Sequence, residues 1–539
     1  MRRIQIVLSK RGTGFLFTLI SIIAINAWQQ VLGNFDFDNS FALAAAKNIS
    51  EGHGYSIKTA FAEDLSQFYY DPLNRWPPGY SWLLVGTHWL LNTDWIHASY
   101  ILNALGLSLL VLVVRKLLVQ LEFQKWIVNV AVLFYGFQYH PFHFSYFADI
   151  FGLLLFLVGL VFMIKGVKTD QHIVLFSILS AFFTGASAFM KYLYIPLSIV
   201  PPVSLFIYGY LVKKRYLRSA AIKCLLFTFL MIGSVLLFQF YNSGHSVYIN
   251  PSKTGFYPDQ LIRISPVVPL GFLNLTFINV QVSRLLHISF ENLNIFWKLI
   301  NLICVGWLFQ ISYKLIRKKN FRTSDFRGFY AINVLLTTLV LFTMLIVLSV
   351  VKSKHYADTF FEWVYGQELR YYCVFIIFIL QFALFLFLKQ NYFFNKTGRI
   401  IFRMVAGFIL IVEITHGTYF CIKKILIEKE YGMAIRSDQY LFKSMELTDR
   451  EMKNNKNTVI CSNNYAIANM CSLLSVPIYC EIGKLQKPLH NSLAVRLIIA
   501  ADTTVPGISV PLLSDPAVKP DLVFKNVSYY IVNLPKTNF

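Results

Sequence analysis

Eleven blocks of nearly unbroken apolar residues run through this 539-residue chain, at roughly 15–33, 97–114, 126–140, 146–164, 172–189, 192–212, 220–240, 294–313, 329–350, 371–388 and 400–421. A hydrocarbon core about 30 Å thick is crossed by about 20 apolar residues in helical form. Inside it each backbone N–H and C=O must be paired within its own segment, which helices achieve. The blocks predict a polytopic α-helical membrane protein with about eleven transmembrane helices. Composition excludes the alternatives. With 56% hydrophobic and only 14% charged residues, against about 25% charged in soluble proteins, a single water-soluble core is ruled out. Polar low-complexity tracts are missing, so a disordered chain is ruled out too.

The formal charge of +22 does not indicate nucleic acid, because the basic residues sit in short clusters between apolar blocks. Such clusters orient membrane proteins. With the N-terminus inside, 24 basic residues fall in or beside the short inner loops and 11 in the much longer outer ones. The expected location is the plasma (inner) membrane, multi-pass, with a cytoplasmic N-terminus. The first apolar run lacks a small-residue cleavage site and reads as a retained helix.

Outer segments 34–96, 241–293 and 351–370 are long enough to carry a task. In the first, Asn39 to Ile49 is Ala-rich and helix-forming, and Gly52-His53-Gly54 breaks it. Residues 77–91 are apolar but too short to span, and their Trp and Tyr residues suit a helix lying at the interface. After Cys421 the composition becomes that of a globular protein. Residues 458–462, 476–480 and 528–534 read as strands, with a short helix at 465–474. This predicts two units: a transmembrane domain over 1–422 and a small extracytoplasmic α/β domain over 423–539.

Few residues offer chemistry. Asp38 follows the first span. It reads either as the N-cap of the Ala-rich helix or as a carboxylate reaching an acceptor hydroxyl, and the two roles are compatible. Asp149 lies at the outer end of the fourth span. There an acid is functional by default, or is simply welcomed by a helix N-terminus. Lys191 and Arg370, at outer helix ends, read as phosphate-binding cations or as interfacial anchors. Glu413, in mid-span, needs a partner. His53, His140 and His143 lack metal-motif spacing. Cys461, Cys471 and Cys480 allow one disulfide. No phosphate-cradling loop is present, which argues against ATP-driven transport.

Four pieces in order resemble the GT-C superfamily of membrane glycosyltransferases, in its branch of bacterial protein O-mannosyltransferase-like and aminoarabinose lipid A transferase-like enzymes. They are Asp38-Asn39-Ser40-Phe41 with the Ala-rich helix and Gly52-His53-Gly54-Tyr55, then Arg75-Trp76-Pro77-Pro78-Gly79-Tyr80, then Glu368-Leu369-Arg370-Tyr371, and the strand–helix–strand tail. Two positions depart from the pattern. Ala148-Asp149 stands where the family often has Ser-Glu, and Lys191-Tyr192 where it has Arg-Tyr. The resemblance implies sugar transfer from a polyprenyl-phosphate donor to a cell-envelope acceptor on the outer face, with inversion. It implies Asp38 and Asp149 as catalytic residues and Arg370, Lys191, Arg75, Tyr371 and His53 as substrate contacts. The sequence specifies no cofactor and gives no firm metal-ligand set. Some relatives use a divalent metal, for which Asp38 would be the ligand. The alternatives are a flippase-like transporter of lipid-linked sugar, although no internal repeat is visible, and a catalytically silent relative.

Overall fold

The computed structural model describes residues 11–32, 37–74, 76–137, 147–169, 172–244, 326–351, 439–455, 457–479, 491–502, 519–524 and 526–537, plus isolated positions. The expected spans at 294–313, 371–388 and 400–421 lie outside the described residues, as do Arg75, Arg370, Tyr371, His140, His143, Glu413 and Cys480.

Helix α1 (Arg11–Leu32) leads to α2 (Phe37–Ser50), which occupies the Ala-rich segment. Gly52 and Gly54 end it with positive φ (83° and 72°), a conformation that costs glycine no Cβ clash. A hairpin of β1 (Ser56–Ala60) and β2 (Phe68–Pro72) follows, then α3 (Gly79–Leu91). This helix buries Tyr80, Ser81, Leu84 and Val85. It exposes Trp89 (65%) and Leu90 (85%), the two-faced character expected of an interfacial helix.

The apolar bundle comprises α4 (Trp95–Gln120), α5 (Lys125–Phe137), α6 (Phe147–Thr169), α7 (Ile173–Met190), α8 (Tyr194–Ser198), α9 (Val200–Leu211), α10 (Arg215–Ser243) and α11 (Phe326–Val351). Among the described residues five segments are long and apolar enough to cross a membrane: 95–120, 148–169, 173–190, 194–211 and 215–243. The span expected at 192–212 is divided into α8 and α9. Pro196, Pro201 and Pro202 explain this, since proline cannot donate a helical hydrogen bond. Small residues let the helices approach closely. A Cβ on Gly159 would sit 2.5 Å from Thr184 Cγ2, so α6 and α7 meet there almost backbone to backbone.

The tail contributes α12 (Gln439–Asn454), β3 (Thr458–Ser462), α13 (Tyr465–Ser472), β4 (Ile478–Tyr479), β5 (Val495–Asp502), β6 (Leu522–Phe524) and β7 (Val527–Leu534). Its strands and the loop hairpin form one seven-stranded mixed sheet, ordered β2-β1-β4-β3-β5-β7-β6. The joint is parallel pairing of Thr59 with Ile478. The sheet therefore draws strands from both sides of the 422/423 division. Helix α13 packs against α2. Asn469 Nδ2 donates to Ser40 Oγ (3.3 Å), and the Tyr465 and Phe41 rings meet at 5.9 Å. Lys47 Nζ, at the far end of α2, donates to Ser475 Oγ at 2.5 Å.

Candidate active site

Three charged residues, isolated in the sequence, come together. Asp38 lies in the first turn of α2, Asp149 in the first turn of α6, and Lys191 immediately after α7. The Lys191 Nζ donates to Asp38 Oδ2 at 3.1 Å and to Asp149 Oδ2 at 2.9 Å. All three are buried, with 8%, 1% and 5% of their surfaces exposed for Asp38, Asp149 and Lys191. Lys191 itself is extended (φ −155°, ψ 138°). That turn out of α7 aims its side chain across the mouths of α2 and α6.

Both carboxylates gain from their positions, since the N-terminal turn of a helix favours negative charge. Asp38 lies in the first turn of α2, which is described from Phe37 onward. Asp149 is fixed from behind as well, because its backbone carbonyl accepts from Tyr194 Oη at 2.7 Å.

The carboxylates open onto a cleft lined also by Asn39, Tyr55, Trp76, Tyr80 and Ser81. Its wall is the segment Trp76-Pro77-Pro78-Gly79-Tyr80, and several elements hold it. Tyr55 Oη donates to the carbonyls of Trp76 (3.1 Å) and Pro77 (3.3 Å). Burial first, and the neighbouring Tyr192 second, push the Tyr55 phenol well above its usual range, so it remains a donor. Gln239 of α10 donates to the Trp76 carbonyl at 2.8 Å, and Tyr192 Oη to that of Asn74 at 2.9 Å. Gly79 is required by space, because a Cβ there would lie 2.5 Å from the Phe189 carbonyl oxygen. Tyr80 Oη donates to Asn103 Oδ1 at 2.6 Å. Phe41, one turn beyond Asp38, packs in a tilted pair against Trp76, ring centroids 4.9 Å apart.

Of the residues singled out from sequence, Asp38, Asp149 and Lys191 converge. His53 does not join them. It stacks on Tyr70 at 3.9 Å and is not among the residues lining the cleft. Cys471 is a buried thiol that accepts from Thr448 and is pushed up to about 12 by burial, so it is inert. Sequence reasoning passed over Tyr194, Gln239 and Asn103. The signal for Gln239 and Asn103 was available: an amide inside an apolar span must find a partner.

The residues do not fit a divalent metal. Its place between the two carboxylates is taken by the Lys191 ammonium. No group of three or more His, Cys, Asp or Glu converges among the described residues.

No protein-family model and no curated protein matches the chain. Among solved structures it is similar to the Archaeoglobus fulgidus oligosaccharyltransferase in complex with Zn and sulfate. The TM-score is 0.49 and the identity 10%, over 91% of this chain and 68% of that one. It is also similar to ArnT from Cupriavidus metallidurans bound to undecaprenyl phosphate, with a TM-score of 0.48 and 12% identity over 98% and 99% of the two chains. A third is the Archaeoglobus fulgidus AglB with an inhibitory peptide and a dolichol-phosphate. There the TM-score is 0.46 and the identity 12%, over 87% of this chain and 63% of that one.

Proposed function

We propose that the chain is an integral-membrane glycosyltransferase that moves a sugar from a polyprenyl-phosphate donor to an acceptor hydroxyl of the cell envelope. The observation that carries this reading is the buried Asp38–Lys191–Asp149 arrangement at the head of a cleft walled by the Trp76–Tyr80 segment.

In the step proposed, the acceptor oxygen attacks the anomeric carbon while the bond from that carbon to the phosphate oxygen breaks. Polyprenyl phosphate leaves with the electron pair. The hydroxyl proton passes to Asp38. A phosphate leaving group needs no strong acid, because cations near it stabilise the developing charge. Attack opposite the leaving group inverts the anomeric centre. Lys191, shared by two carboxylates, serves to hold Asp38 and Asp149 in place. Donor phosphate binding is then assigned to Arg370, supported by Tyr371 and Arg75, as the motif resemblance implies. The outer face, the inner membrane and the acceptor class belong to this proposal.

The test is Asp38→Asn in the purified protein, supplied with a polyprenyl-phosphate sugar. Asn can still accept from Lys191, so the fold should persist. Turnover should fall roughly 10²–10⁴-fold, the usual contribution of a positioned proton acceptor. Normal turnover would refute the catalytic role, and a transporter or a silent relative would show no sugar transfer even in the wild type.

A further inference from the structure

Two carboxylates from different helices, nearly closed off from water, point at one cation that arrives on a third helix end. Carboxylates so placed repel each other, and one of them would take up a proton unless a cation lay between them. In a protein, that position attracts either a metal ion or a basic side chain. Here the chain supplies the cation itself, covalently tethered and aimed by the extended backbone at Lys191. A metal ion in solution competes poorly with it, because entry would leave a displaced ammonium buried beside the ion. The donor set is also short. Asp149 Oδ1 is buried and has no hydrogen-bond partner among the described residues.

We propose that Lys191 is a built-in replacement for a divalent cation. Its ammonium occupies the bridging position permanently, so the site excludes metal and works without it. Removing Lys191 should convert the pair Asp38 and Asp149 into a metal-binding site. The inference deepens the glycosyltransferase reading, because it assigns Lys191 as the positioning residue of that centre. Its test, however, uses neither donor nor acceptor.

Full-length protein in detergent or nanodiscs would be titrated with Mn²⁺ alone, with free Mn²⁺ followed by EPR and thermal unfolding measured in parallel. Wild type should show no saturable binding that depends on the two carboxylates. Lys191→Ala should gain one saturable Mn²⁺ site, with Mn²⁺ raising its unfolding midpoint. Lys191→Ala combined with Asp149→Asn should lose both effects. A folded Lys191→Ala protein that binds no Mn²⁺ would overturn the proposal. So would wild-type protein that binds Mn²⁺ stoichiometrically and loses it on Asp149→Asn. That wild-type measurement decides the matter even if Lys191→Ala fails to fold. Wherever turnover is assayed, EDTA should leave the wild-type rate unchanged. If no sugar transfer is found but the Mn²⁺ results hold, the enzymatic reading falls and the cation assignment stands.

Discussion

A methyl group at position 152 would collide with the Tyr194 ring, and Tyr194 is what holds the Asp149 backbone. Gly152→Ala therefore tests whether packing behind the carboxylates matters to them. Overpacking of this kind costs about 1–3 kcal/mol, so the unfolding midpoint should fall and turnover with it. Gly233, on α10, is the control: a Cβ there meets nothing within 4 Å. Gly233→Ala should be neutral, or stabilising by up to about 1 kcal/mol from the glycine entropy removed. Equal effects at the two positions would dismiss the packing argument. The same scale shows what the sequence could disclose. Asp38, Asp149 and Lys191 each stood out as charges at the ends of apolar blocks, where a charge needs a reason. Their meeting did not, since 153 residues separate Asp38 from Lys191. Tyr194 was invisible for another reason. A tyrosine in an apolar run reads as core or interface until its hydroxyl is seen to have a partner.

At the scale of elements, α13 is the link between the tail and α2. The Tyr465 ring packs against Phe41 and Asn469 bonds Ser40, both within a turn of Asp38. If these contacts set the pitch of α2, then Tyr465→Ala and Asn469→Ala should lower kcat more than they raise KM, because small displacements of a reacting group are costly. Unchanged kcat in both variants would leave the tail with a purely stabilising role. A second test concerns Glu451 of α12, buried yet bonded by Arg496 through Nη2 at 2.7 Å and Nε at 3.0 Å. Burial alone would raise its carboxyl, but the hydrogen bonds from Arg496 and Arg450 outweigh it and hold the group below the usual 4.5. A depressed carboxyl contributes stability above its unfolded value and loses it as pH falls below 4.5 through the folded value. The unfolding midpoint should therefore drop in that acid range, and Glu451→Gln should flatten the drop. The strand at 458–462 was readable from five consecutive small or β-branched residues, and its observed bounds are the same. The hairpin at 56–72 was not readable. Its alternation is short, and the strand that completes it lies some 400 residues further on, at Ile478.

At the scale of the whole molecule, two clusters of charge among the described residues lie at opposite ends of α6. Asp149 opens α6 and Lys168 closes it. Lys168 and Arg327 both bond Glu122, at 2.7 and 2.9 Å, and hold that carboxyl below its usual range. Nineteen residues of helix separate the two levels by about 28 Å at about 1.5 Å per residue. That is close to the roughly 30 Å of a hydrocarbon core. If the bundle crosses the membrane along α6, the cluster around Glu122 lies at one surface and the Asp38–Lys191–Asp149 centre at the other. The excess of basic residues in the loops on the Glu122 side then assigns that side to the cytoplasm. Single cysteines at two exposed positions test this: Ala62→Cys, in the hairpin loop, and Gln124→Cys, beside Glu122. In intact cells a membrane-impermeant maleimide should label the first. The second should react only after permeabilisation. The reverse pattern would put the centre inside and rule out an envelope acceptor, while labelling of both in intact cells would mean that α6 does not span.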